Sequence, residues 1–259
     1  MTAKSSTFIR KIHSLLQYRR VFVDWRVAAS LRYSLKEETR LTRLRLRGRG
    51  AIWVRPKYNK TAVGEVFIAE TYGELLPATP PKRVWDIGGN IGCFAIWLLR
   101  RFPEAQITSF EPSAPTFELL AKNQAEWEGA AWQIRPFGLS EKDQTVNAFI
   151  PFESYGQTSR HATSGEAIQL NLRNIATVWE EEGRPSIDLL KIDCEGDEYE
   201  ILAAMPEGLW NSVQTVLLEV HPRENKSPEE LRNHFIAHGF SVLQGVSNPE
   251  LWRATRNPA

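Results

Sequence analysis

Three short stretches of this 259-residue chain set glycines beside carboxylates in the manner of a ligand site. The first is Asp86-Ile87-Gly88-Gly89-Asn90-Ile91-Gly92, where a short apolar strand runs into an apolar helix. Gly88 and Gly92 let backbone approach a ligand closely, and the helix start offers unpaired N–H groups. The dinucleotide fingerprint G-x-G-x-x-G does not fit, because Asn90 stands where a glycine is required. A carboxylate at the strand end would also repel a pyrophosphate. Asp86 suits instead a ligand with an ammonium group, such as a nucleoside carrying an amino-acid tail. The second stretch is Phe110-Glu111-Pro112-Ser113. An acidic residue roughly 20 positions beyond a Gly-rich turn, at the next strand end, accepts hydrogen bonds from a ribose diol. The third stretch is Lys191-Ile192-Asp193-Cys194-Glu195-Gly196, which is joined by Glu219-Val220-His221 further on. Strand alternation puts Glu219 and His221 on one side of the chain.

These residue types can remove a proton from an acceptor. His221 is the first candidate base, since an ordinary histidine titrates at ~6.5. Asp193 and Glu195 are the second. A metal-assisted version would use Asp193, Glu219 and His221 as ligands for a divalent ion. The metal-free version is preferred. A strand-end histidine satisfied by a neighbour would look the same in sequence. His234 and His238 lie four apart on one helix but lack the glutamate of the zinc-protease motif, so packing is their expected role. Tyr155, Arg160 and His161 fall in an irregular stretch over 152–166 and are candidate acceptor contacts, although a solvated loop fits them equally.

The elements that must position these residues follow from periodicity. Strands are expected at 83–87, 106–110, 132–135, 187–192, 213–220 and 240–243. Helices are expected at 92–102, 115–127, 174–182, 198–204 and 228–238. Weaker strands are expected at 145–150 and 167–172. A helix over 62–75 precedes Pro77, Pro80 and Pro81, which mark a boundary. Strands alternating with helices imply a mostly parallel sheet covered on both faces, with ligands beyond the strands' carboxyl ends.

The stretches from Trp85 to Gly92, Ser109 to Ser113, Gly138 to Ser140, Leu190 to Gly196 and Leu218 to His221 together resemble the FkbM family of class I S-adenosylmethionine-dependent methyltransferases. The resemblance spans about Thr61 to Pro222, and Lys-Ile-Asp-x-Glu-Gly is its most specific part. It implies an α/β Rossmann-like fold with a mostly parallel seven-stranded sheet. It implies S-adenosylmethionine as cofactor and O-methylation of a small molecule, sugar or glycan. It also implies site roles. Asp86, Gly88, Asn90 and Gly92 would form the methionine-tail pocket, and Glu111 would hold the ribose. Pro112 and Ser113 would flank the adenine, Ser140 would meet its edge, and Asp193 would lie nearest the transferred methyl. Cys194 departs mildly from the family's small apolar residue.

The formal net charge of +1 hides an asymmetry. Residues 1–50 carry 13 Lys and Arg against 3 acidic residues, and the remainder carries 19 against 28. A basic N-terminal extension over 1–50 is therefore expected ahead of a methyltransferase domain over 51–259. The extension contains an apolar stripe (Phe8, Ile9, Ile12, Leu15, Leu16) and an alternating basic strand over 41–49 with a hairpin partner at 51–55. Core packing, an anionic acceptor and an anionic membrane surface are its three readings. A nucleic-acid methyltransferase is disfavoured, because the carboxylates after the fourth core strand would repel phosphates. A non-catalytic S-adenosylmethionine-binding domain is a further alternative. Two cysteines exclude a disulfide scaffold, and a cytoplasmic location is expected. Neither a signal peptide nor a membrane span is expected.

Overall fold

The computed structural model describes residues 13–33, 39–150, 165–221 and 223–258. Its central feature is a sheet whose middle strands are near-continuous apolar runs, as strands buried on both faces must be. The strands are β3 (Arg83–Ile87), β4 (Gln106–Phe110), β5 (Trp132–Arg135), β9 (Ile187–Ile192), β10 (Val213–Glu219), β11 (Phe240–Gln244) and β12 (Leu251–Arg256). Their order is β11-β12-β10-β9-β3-β4-β5. All pair in parallel except β12, which runs antiparallel to both β10 and β11. The expected seven-stranded, mostly parallel sheet is thus present. The strand order reverses between β3 and β9, and crevices for ligands open at such a switch.

Helices α4 (Cys93–Leu99), α5 (Ala114–Ala125), α6 (Ile175–Glu181), α7 (Glu198–Ala203), α8 (Glu207–Ser212) and α9 (Pro228–Ala237) follow or precede these strands. The sequence pass missed α8 and β12. Gly208 and the brevity of α8 hide its period, and Arg253 and Arg256 interrupt the apolar run of β12. Strands β6 (Gly138–Ser140), β7 (Gln144–Ile150) and β8 (Glu166–Asn174) form a separate small sheet in the order β6-β8-β7.

All seven residues of α4 are buried. A helix apolar on every side needs cover on its outer face as well as a sheet beneath it. The N-terminal segment shares that core. Its helices α1 (residues 13–21) and α2 (Trp25–Tyr33) and its hairpin β1 (Thr42–Arg45) and β2 (Ala51–Val54) bring Tyr18, Phe22, Leu44 and Ile52 into one apolar cluster with Phe94 to Leu99. The β1–β2 pairing runs across the boundary expected at residue 50. Asn123 of α5 fastens the hairpin: its side chain accepts from the Trp53 N–H at 2.6 Å and donates to the carbonyls of Trp53 and Ile91.

The helix expected over 62–75 starts earlier. Pro56 presets the first turn of α3 (Pro56–Val63), which continues as a π-helical stretch (Gly64–Ala69) and stops where Glu70 turns left-handed at φ 52°. A short 3₁₀ turn over Gly73–Leu75 follows. This break presents Glu65 and Tyr72 to the carboxyl ends of the sheet strands.

Phe22 is fully buried and meets Phe67 edge-on at 5.9 Å between ring centres. Phe22→Ala should therefore cost about 3–5 kcal/mol. The urea midpoint should fall at unchanged slope. An unmoved midpoint would show that the N-terminal segment does not belong to the folding unit.

Candidate functional site

The site begins with a constraint on backbone. At Gly88, φ is +77°, and a side chain there would place its first carbon 1.9 Å from the Asp193 carbonyl oxygen. Only glycine lets the ends of β3 and β9 approach this closely. Lys191 of β9 ties them together. Its ammonium, 3% exposed, donates to the Gly88 carbonyl at 2.7 Å and lies 3.2 Å from Asp86 and 3.5 Å from Asp193. Burial acts against the charged lysine, but Asp86 and Asp193 outweigh it and raise its pKa above the ordinary value. The second Asp86 oxygen accepts from Ser109, which in turn accepts from the Trp132 indole.

Two clefts open at these strand ends. One of about 730 Å³ is walled by Glu111, Pro112, Thr116, Leu139, Leu170 and Leu172. The other, of about 1530 Å³, holds Lys57, Lys60, Glu65, Tyr72, Glu219 and His221 in its wall. Gly88, Asn90, Asp193 and Glu195 line both. A molecule lying across this shared wall would touch both clefts.

Glu111 is well placed to hold a diol. One of its oxygens accepts from the Asn90 N–H and the other from the Ser113 N–H, both at 2.9 Å. Each carboxylate oxygen keeps capacity for a further donor. Burial pushes Glu111 up to about 7, against the pull of those two backbone donors. The neighbouring walls are apolar, as a flat aromatic base requires.

Past Asp193 the chain turns sharply. Glu195 sits at φ 53° and Gly196 at φ 110°. A left-handed glutamate is a strained conformation of the kind found at ligand sites. Fully buried Glu198 secures the turn, because one of its oxygens accepts from the Cys194 and Gly196 N–H groups. That oxygen also holds His221 Nδ1 at 2.9 Å, which leaves Nε2 3.6 Å from Glu195. Burial acts to lower the pKa of His221. The hydrogen bond and charge of Glu198, with Asp193 and Glu195, outweigh it and push the ring up to about 10. These carboxylates favour the protonated ring, which weighs against the base role expected for His221. Burial and the Asp193 charge push Glu195 up to about 7 and Glu219 up to about 8. The Tyr72 hydroxyl donates to Asp193 at 3.3 Å.

The structure thus gathers Gly88, Asn90, Glu111, Pro112, Asp193, Glu195, Glu219 and His221 around the clefts. Other expected residues stand behind the wall. Asp86 is fully buried against Lys191 and Ser109. Gly92 starts α4 at φ 88°, where a side chain would strike Trp132. Ser113 is buried and accepts from the Thr116 hydroxyl. Ser140 is buried and accepts from Gln144, while Gly138 and Leu139 form the wall beside it. Tyr155, Arg160 and His161 lie outside the described residues. For a metal, among the described residues the ligand atoms that lie within 4.8 Å of one another belong to Asp193, Glu195 and His221, so Glu195 stands in the place expected for Glu219. Sequence reading missed Lys191, Glu198 and Tyr72. Lys191 and Glu198 flank the Asp-x-Glu-Gly turn and were open to suspicion, but nothing in sequence marks Tyr72.

The fold is that of class I methyltransferases. Over 96% of this chain and 60% of the other, it superposes on the crystal structure of methyltransferase FkbM from Methylobacillus flagellatus with TM-score 0.52 at 13% identity. Residues 86–242 match the model of the methyltransferase FkbM domain, and the chain belongs to that family. It is 25% identical over 195 residues to 31-O-demethyl-FK506 methyltransferase FkbM of Streptomyces tacrolimicus, covering 63% of this chain and 74% of that one. It is 30% identical over 140 residues to hexuronic acid methyltransferase AglP of Haloferax volcanii, covering 53% and 55%. A further match, 26% over 225 residues, is to AMB antimetabolite synthetase AmbE of Pseudomonas aeruginosa. It covers 69% of this chain but only 10% of that much longer protein.

Lys191→Met would leave Asp86 as an uncompensated buried charge. The variant should lose about 3–5 kcal/mol in urea unfolding. A loss below about 1 kcal/mol would mean that the ammonium does not hold the strand ends together.

Proposed function

We propose that the chain transfers a methyl group from S-adenosylmethionine to a hydroxyl of a small molecule, sugar or glycan. The observation that carries this reading is the wall shared by the two clefts, where Gly88, Asn90, Asp193 and Glu195 face both sides. The residues fit the donor. Leu139, Leu170, Leu172 and Pro112 suit the adenine, and Glu111 suits the ribose diol. The carboxylates of Asp193, Glu195 and Glu219 suit the positive charge of the donor. Bound there, the donor supplies an activated methyl on a sulfonium. The protein's task is alignment, which supplies most of the acceleration for an in-line displacement.

Glu195 is the preferred base. It lines both clefts, and its pKa near 7 suits proton abstraction at neutral pH. His221, protonated and held by Glu198, keeps a positive charge beside it. Tyr72 orients Asp193 from the acceptor side. The relatives named for a hexuronic acid and for FK506 support hydroxyl-bearing acceptors. A polyphosphate acceptor fits poorly, because Glu65, Asp193, Glu195, Glu219 and Glu250 share the larger cleft. The grouping of Asp193, Glu195 and His221 favours one second reading, in which these side chains hold a divalent cation that acidifies the acceptor hydroxyl.

A base is active when ionised, so kcat/KM should rise about tenfold per pH unit up to about pH 7 and then level off. Glu195→Gln should remove that limb and lower kcat about 10²–10⁴-fold. A variant that keeps the limb would place proton transfer on another group. Activity lost to a chelator and restored by magnesium would establish the second reading instead.

A further inference from the structure

The N-terminal helices bury one set of apolar side chains and leave a second set exposed, unlike the rest of the surface. Tyr18, Val21, Phe22, Ala28 and Ala29 point into the core at helical spacing. In the same stretch Leu15, Leu16, Val23 and Val27 are exposed, Leu16 by 50% and Val27 by 46%. They are four of the seven exposed large apolar side chains among the described residues, gathered within one short stretch. Between them stand Arg19, Arg20 and Arg26, all exposed. Asp24 is the sole acid within 13–33, and Arg45 neutralises it at 2.7 Å. The Arg47 guanidinium donates to the Arg19 carbonyl, which brings the basic hairpin turn to the same stretch.

We infer that this exposed stretch is a docking surface for an anionic lipid bilayer. Aliphatic side chains interleaved with arginines, without acids, are what an interfacial helix offers to headgroups and the acyl boundary beneath them. Charge selects among the possible occupants. A second copy packed face to face would set arginines against arginines. A nucleic acid would use the arginines but would gain nothing from Leu16, Val23 and Val27, where aromatic stackers are the usual choice. An anionic membrane rewards both kinds of residue. Helix α2 packs on α3, whose Lys57 and Lys60 belong to the wall of the larger cleft. Docking would therefore set the acceptor cleft one helix away from the membrane.

The test is co-sedimentation of the full chain with vesicles of phosphatidylcholine alone or with phosphatidylglycerol added. Binding should require phosphatidylglycerol and weaken with salt. Each arginine near the surface is worth about fivefold in affinity, so Arg19→Ala with Arg20→Ala should weaken binding roughly 25-fold. Leu16→Ser with Val27→Ser should weaken it as well, while melting temperature and S-adenosylhomocysteine binding stay unchanged. Equal partitioning to both vesicle types, or unchanged affinity in the variants, would overturn the inference. Retention of RNA without vesicle binding, or a dimer dissolved by Leu16→Ser, would also overturn it.

Discussion

The site depends on one buried ammonium. Lys191 lies where the ends of β3 and β9 meet, between Asp86 and Asp193, and donates to the Gly88 carbonyl. Without it two carboxylates and a carbonyl would face each other in a nearly dry interior, an arrangement that costs several kcal/mol per unpaired ion. With it the strand ends are locked, and Gly88 takes the left-handed conformation that lets backbone pass against Asp193. From this point both clefts diverge. The ion pair therefore positions the strand ends on which the clefts open, with Asp86 and Lys191 almost wholly buried.

A second layer of electrostatics is built on the first. Glu198 is fully buried at the start of α7 and carries the Cys194–Gly196 turn and the His221 ring on one oxygen. Asp193, Glu195 and Glu219 then crowd the larger cleft, with Lys191 and His221 as cations beside them. Burial and mutual repulsion raise the carboxylate pKa values, and the same carboxylates pull the His221 pKa upward.

Much of this was legible in the sequence because the motifs report backbone demands. Gly88, the acid of Glu111 after β4 and the Asp-x-Glu-Gly turn all encode strand-end geometry, which needs few residues to specify. Alternating strands and helices also specified the sheet. The rest depends on tertiary burial. Whether Ser140 or Leu139 faces the cleft is set by how β6 meets β8, not by local pattern. The hydrogen bond that holds His221 comes from Glu198, which reads in sequence as an ordinary helix-start carboxylate. Tyr72 reaches Asp193 only because α3 loosens into a π-helical stretch and Glu70 turns left-handed. The basic N-terminal segment looked separable by charge alone, yet its buried apolar residues belong to the same core cluster as α4.

In the proposed reaction Glu111 would hold the donor's ribose beside the wall shared by the two clefts. Calorimetric titration with S-adenosylhomocysteine tests this most directly. The wild-type protein should bind one equivalent. Glu111→Ala, which loses hydrogen bonds to a charged acceptor, should bind about a hundredfold more weakly while remaining folded. Equal affinity in the two proteins, or a wild-type chain that does not bind the ligand, would contradict the account.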